Sequence, residues 1–261
     1  MITLALTAAA ALALHQAAPE ASVAPWGAMT EAERKVQVQK LSKTELEQVL
    51  KSTQPSVLLT LSAQAIRSMG PYEYTMVKQE RINGSMQGEQ TIKTIIQEDP
   101  NAIRLEYLKG PSAGRKLIYN SKVKKDEFRV REPGILSVIG RLWIPLKSDL
   151  TRGDSNHTVA EAGLGALVRR LQADGSRAGE RIVVKHEGWT PGGHFCSLYT
   201  LPDGGKGFDN ASTRVCYDPV VGVPMKVEGF DPKGELIERY AFSGLKPFTI
   251  DETTFDPDKG F

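Results

Sequence analysis

Cysteine and histidine are scarce in this chain of 261 residues, with two of the first and four of the second. Two cysteines without a nearby second pair of ligands cannot build a four-coordinate zinc site. His15, His157, His186 and His194 show none of the spacings that bring imidazoles to one metal. No metal and no cofactor are expected. An excess of either charge sign is missing too: Lys plus Arg number 33 against 31 Asp plus Glu. With a pI near 8.4, the chain lacks the basic stripe of a nucleic-acid binder, so no nucleic-acid partner is expected.

Catalytic motifs are equally thin. Nothing reads G-x-S-x-G, the elbow that presents a hydrolase serine. Residues 110–116 (GPSAGRK) superficially resemble a phosphate loop, but the glycines stand one residue too close and Leu117 follows the lysine where Ser or Thr belongs. The segment reads as a turn between strands. His157, at a helix start, reads as a structural hydrogen-bonder. Glu228, Asp231 and Glu235 sit together at a hairpin end and read as a solvated rim. The chain is not expected to be an enzyme.

No apolar run reaches the length of a membrane span; residues 133–146 form one strongly apolar stretch without a clean period, and at the N-terminus Ile2 to Leu14 are apolar. Thirteen residues are too few to span a bilayer and fit the apolar region of a secretory signal. The expected organisation is a signal over 1–17, a Pro/Ala linker over 18–28 and a single domain over 29–261, periplasmic or secreted after cleavage and without a transmembrane span. The competing reading of the first residues is an Ala-rich tail. Cys196 and Cys216 flank PDGGKGFDNAS, a turn-rich segment between two β-type runs. A hairpin closing near residue 206 sets them opposite each other, as a disulfide requires; in a reducing compartment they would be two buried thiols.

What is present is periodicity. Residues 29–52 read as one helix opened by Thr30 and Glu33, a capping box. A second helix follows Pro55 and ends at Gly70-Pro71, with Leu58, Leu61, Ala65 and Met69 on one face. From Tyr72 the period becomes two, and Asn83-Gly84 is a strong hairpin signal. A two-residue turn there pairs Ile82 with Ser85, Glu80 with Gln87 and Lys78 with Glu89. That register places Thr75, Val77 and Ile92 on one face and Tyr74, Met76 and Thr91 on the other. Strands are predicted over 102–109, 115–120 and 124–132, and a helix over 158–174 opened by Thr158 and Glu161, with Ala160, Leu164, Leu167 and Leu171 buried. About five more strands follow, one turn being Asp231-Pro232-Lys233-Gly234. Long antiparallel meanders interrupted by one helix imply an α+β domain with a large, strongly curved sheet.

Three stretches resemble a bacterial envelope family, the domain of unknown function 1571. These are a strand with Lys78, Glu80 and Arg81; a strand with Gly114, Arg115 and Tyr119; and a helix-bearing segment from Asn156 through Leu171. Thr158 stands where that family's pattern has proline. The C-terminal part, with Asp218, Gly222 and Pro224 followed by the strand 235–246, resembles the periplasmic lipoprotein carriers of the Lol type (LolA-like). This resemblance implies an incomplete, half-open β-barrel whose concave face, covered by helices, encloses an apolar cavity. The implied function is non-catalytic binding or carriage of lipid or a lipidated protein, with an envelope protein as a possible partner. The alternative is a structural or interaction module whose core is filled by its own side chains. Candidate lining residues are Val77 and Ile92 in the hairpin, and Leu105 and Tyr107 in the next strand. Met225, Val227 and Tyr240 add to them from the C-terminal strands, with Trp143 at the mouth or lid.

Overall fold

A computed structural model describes residues 25–134, 140–148 and 155–261. The expected signal segment and residues 135–139 of the apolar stretch 133–146 lie outside the described residues. Three helices open the described chain: α1 (Glu31–Lys40), α2 (Lys43–Ser52) and α3 (Pro55–Met69). The expected single helix over 29–52 is therefore two. Ser42 accepts from the Glu45 N–H while the Glu45 side chain accepts from the Ser42 N–H, a second capping box that restarts the helix. Three residues of the expected linker, Trp26–Ala28, form a 3-10 turn with Trp26 buried, so packing begins ahead of residue 29.

The strand β1 (Tyr72–Ile82) lies at the centre of one antiparallel sheet. A short β2 (Ser85–Met86) closes the Asn-Gly hairpin against it. On one side the chain meanders outward through β3 (Gln90–Gln97), β4 (Ala102–Lys109), β5 (Lys116–Asn120), β6 (Glu127–Arg131) and β7 (Arg141–Pro145). The helix α4 (Leu164–Ala178) then crosses to the far edge. From there β8 (Val183–Trp189), β9 (Phe195–Thr200), β10 (Ser212–Tyr217), β11 (Pro224–Phe230) and β12 (Leu236–Pro247) meander back until β12 pairs with β1. Among the described strands the sheet stays open, with β7 and β8 at its edges.

Burial on β1 alternates strictly, with Tyr72, Tyr74, Met76, Lys78, Glu80 and Ile82 inward. The hairpin departs from the expected register. Ile82 faces Ser85 and the Gln87 N–H donates to the Glu80 carbonyl at 2.8 Å, both as expected, but β3 then resumes with Lys78 opposite Gln90 instead of Glu89. A slip of one residue exchanges the faces of a strand. It puts Ile92, Thr94 and Ile96 on the covered face, each at most 1% exposed, and leaves Val77 half-buried on the other.

Helices α3 and α4 pack on that inner face and against each other. The Tyr74 hydroxyl donates to the Ala162 carbonyl at 2.6 Å, and Tyr72 receives the Leu164 N–H at 3.0 Å. The Thr158–Glu161 box is present, yet it closes a 3-10 turn; α4 itself starts at Leu164 and runs past the expected end to Ala178. Leu164 and Leu167 are buried, while Ala160 and Leu171 are partly so. A smaller core of Ile95, Ala102 and Phe255 forms on the outer face, under the C-terminal tail.

Cys196 and Cys216 are direct cross-strand neighbours in β9 and β10 and form a disulfide with a Cα–Cα distance of 4.0 Å. It closes a loop with a sequence separation of 20 residues, which corresponds to about 3 kcal/mol of chain entropy removed from the unfolded state. Replacing both cysteines with alanine is expected to lower unfolding free energy by about that amount in a urea titration. An unchanged urea midpoint would count against this assignment.

Candidate functional site

The β1–β12 seam places Glu80 directly opposite Glu238. Both carboxylates are buried, each 2% exposed, and like charges facing each other across a strand pair repel. The surroundings neutralise them. The Tyr240 hydroxyl lies between the two, in hydrogen-bond contact with Glu80 Oε1 and 3.1 Å from Glu238 Oε2. Lys78 Nζ is 3.1 Å from Glu80 Oε2, and Glu80 also accepts from Ser155 Oγ and the Asn156 N–H. Glu238 is met by His157 Nε2 at 2.7 Å, Asn210 Nδ2 at 3.2 Å and Arg170 Nη2 at 3.6 Å.

Each partner is delivered by a local feature of the sequence. Strand alternation turns Lys78 and Glu80 to the same face as the tyrosines of β1. The Thr158–Glu161 box holds His157 just ahead of the 3-10 turn, and α4 carries Arg170. Gly229, opposite Glu238 in β11, leaves room for Asn210 to reach across the strand; a Cβ there would stand 2.4 Å from Asn210 Oδ1.

Burial pushes the Glu238 carboxyl up, but hydrogen bonding from His157 and the charges of His157 and Arg170 outweigh it and hold the pKa at about 2. Burial first, and then the Glu238 and Glu80 charges, push the Tyr240 phenol well above its ordinary value, so it remains a donor. Arg170 Nη1 lies 2.7 Å from His157 Nδ1. The same Nη1 lies 2.6 Å from His157 Nε2, so the guanidinium reaches both ring nitrogens while Nε2 also meets Glu238. Both ring nitrogens are then occupied. Ser155 Oγ is turned to Glu80 and not to the His157 ring.

Beside this cluster is a cavity of about 80 Å³ under the 155–163 segment, space for two or three waters at about 30 Å³ each. Four of the eight expected lining residues border it: Ile92, Leu105, Tyr107 and Tyr240. The other four lie elsewhere. Val77 is on the opposite face through the register slip. Val227 is closed into the core and Met225 packs against it. Trp143 is half-buried on the edge strand β7, with Lys124 Nζ 4.4 Å and Arg129 Cζ 5.1 Å from its ring centre. Glu228, expected on a solvated rim, is 6% exposed and paired with Arg214 and Lys226, each at 2.8 Å.

A second, larger space opens between α3, the C-terminal half of α4 and strands β8–β10, with a volume of about 640 Å³. Its apolar surface includes Leu59, Leu171, Ile182, Val184, Leu201 and Val215. Sequence reading missed it, because its walls come from four separated segments. Glu80, Glu238 and Arg170 carried one visible signal: the alternating inward positions of β1 pass from Tyr72, Tyr74 and Met76 into Lys78 and Glu80. Charges on an otherwise apolar face imply partners.

This open antiparallel sheet, covered on one face by helices and neutralised at its seam, belongs to the family described as protein of unknown function, DUF1571. The family model matches residues 69–260. Comparison with curated proteins gives no match. Among solved structures, the chain is similar to an uncharacterized conserved protein of Thermus thermophilus (TM-score 0.44, 13% identity, 76% of this chain and 90% of that one). It is also similar to the lipoprotein LppX of Mycobacterium tuberculosis (0.43, 9%, 76% and 100%). A third likeness is to a LolA superfamily protein of Nitrosomonas europaea (0.32, 10%, 79% and 99%). At these values they are likenesses only; the architecture rests on strand order and register.

A carboxyl held at about 2 in place of 4.5 contributes roughly 3 kcal/mol at neutral pH. Because the folded value is depressed, this stability is full above about pH 4.5 and is lost as pH falls through about 2. Glu238→Gln is expected to be less stable than the parent by a constant margin from pH 8 to 5, the margin shrinking below pH 4.5. Chemical denaturation across pH reads this directly. A margin independent of pH down to 2.5 would remove the charge from the explanation.

Proposed function

We propose that the chain is an exported, non-catalytic binding protein of the bacterial envelope, taking the acyl chain of a lipid or lipidated protein in the groove between α3, α4 and β8–β10. The observation that carries this reading is the groove itself. Its volume of about 640 Å³ falls in the range of roughly 300–1,000 Å³ typical of ligand sites, whereas the 80 Å³ cavity is too small for a chain. At about 0.8 kcal/mol per buried methylene, ten methylenes supply roughly 8 kcal/mol, near micromolar affinity before ordering costs. Such affinity shelters an acyl chain and still releases it.

The reading includes removal of residues 1–17 and a periplasmic or secreted location, which the disulfide suits. The saturated histidine supports a non-catalytic role. One observation favours a second reading: the seam region is closed by the protein's own side chains, as an interaction module with a self-filled core would be.

Native mass spectrometry of the protein purified gently from the cell envelope, or offered an envelope lipid extract, tests the two. The expected result is an added mass that extracts into organic solvent as acyl lipid. Val184→Trp, which fills the groove from the half-buried face of β8, is expected to reduce that adduct at least tenfold with the circular dichroism unchanged. A bare mass with no uptake would leave the interaction module.

A further inference from the structure

The groove's lining also constrains the head of its ligand, and this step rests on the groove being the acyl site. Among its described lining residues there is no Lys, Arg or His. Its charged groups are two carboxylates, Asp174 and Glu180. The nearby cations of α4 and the turn that follows it are already paired, Arg177 with the lining residue Asp174 itself. Arg177 pairs with Asp174 at 2.5 Å, donates to the Gly207 carbonyl at 2.8 Å and stacks on Phe208; Arg181 pairs with Asp203 at 2.9 Å.

The remaining polar lining is neutral: hydroxyls of Ser56, Thr60, Ser176 and Thr213, and amides of Gln54 and Gln172. Tyr199 and Tyr217, at the floor, have phenols pushed up by burial and stay uncharged. This contrasts with the small cavity, where Lys78 and Arg170 are present but already matched by Glu80 and Glu238.

We infer that the groove selects acyl ligands with an uncharged ester-and-hydroxyl head, an acylglycerol or the acylglyceryl group of a lipidated chain, over ligands with a carboxylate or phosphate head. A half-buried anionic head is costly without a countercharge; among the described lining the charged groups are carboxylates, and the donors, the Gln54 and Gln172 amides and the hydroxyls, are neutral. An ester carbonyl or a glycerol hydroxyl needs only the neutral donors and acceptors that are there.

The test is calorimetric titration of the full chain at pH 8 and low salt with two ligands of equal chain length, monododecanoyl glycerol and dodecanoate, both below their micellar concentrations. The acylglycerol is expected to bind about tenfold more tightly, a difference of about 1.4 kcal/mol, with the gap narrowing in high salt as the rim charge is screened. Glu180→Lys, at an exposed position, is expected to remove most of the preference without altering the fold. Dodecanoate binding as tightly as the acylglycerol, or more so, would overturn the head-group inference and leave the groove as an acyl site. Binding of neither would overturn the acyl site itself.

Discussion

The structure depends on the pairing of its first full strand with its last. Where β1 meets β12, two carboxylates are brought face to face inside the protein, an arrangement that would be repulsive if left alone. It is tolerable because several separate elements contribute counter-charges and donors. Lys78 comes from β1, Tyr240 from β12, His157 and Ser155 from the segment ahead of α4, Arg170 from α4 and Asn210 from the loop before β10. The formal charges of Lys78 and Arg170 balance those of Glu80 and Glu238. Removing one member of such a set leaves its partner buried and uncompensated, which costs more than the intact pair contributes.

This cluster also divides the inner face of the sheet. On its β3–β4 side the space is nearly filled, leaving a small cavity next to charges that are already satisfied. Toward β8–β10 the helices stand off the sheet and the lining becomes apolar with neutral polar groups. Two parts of one covered face thus have different chemistry. The first fixes how α4 and the segment before it sit on the sheet, and the second is free to receive something else. The ionic network acts as a footing that lets the other end of the helical layer remain open.

Much of this was legible in the sequence. Period-two alternation located the strands, with Ala102–Lys109 matching the expected bounds. Turn chemistry found the Asn-Gly hairpin and the Asp231–Gly234 turn, whose Gly234 N–H reaches the Asp231 carbonyl at 2.9 Å. The disulfide followed from a loop midpoint. What failed was information that depends on more than one element. The slip after Gly88 could not be read from β1 and β3 alone, because it is decided by which residues the helices will cover; burying Ile92 wins over keeping the Lys78–Glu89 pair. Ser42 and Glu45 did contain a readable restart signal for α2. The partners of Glu238 span residues from 157 to 240, and the groove is assembled from equally distant pieces.

Pairing of β1 with β12 has a consequence for the order of assembly. Residues 72–80 find their partners at 238–247, so a chain emerging from its N-terminus presents the central strand long before its neighbour exists. One edge of β1 must wait, and closing so long a loop between contacts is a slow step. The sheet therefore has no early folded half that is complete on its central side. A nascent chain of this design stays extensible until its final strand arrives, and truncation ahead of residue 236 would leave the middle of the sheet, and not its rim, exposed to self-association.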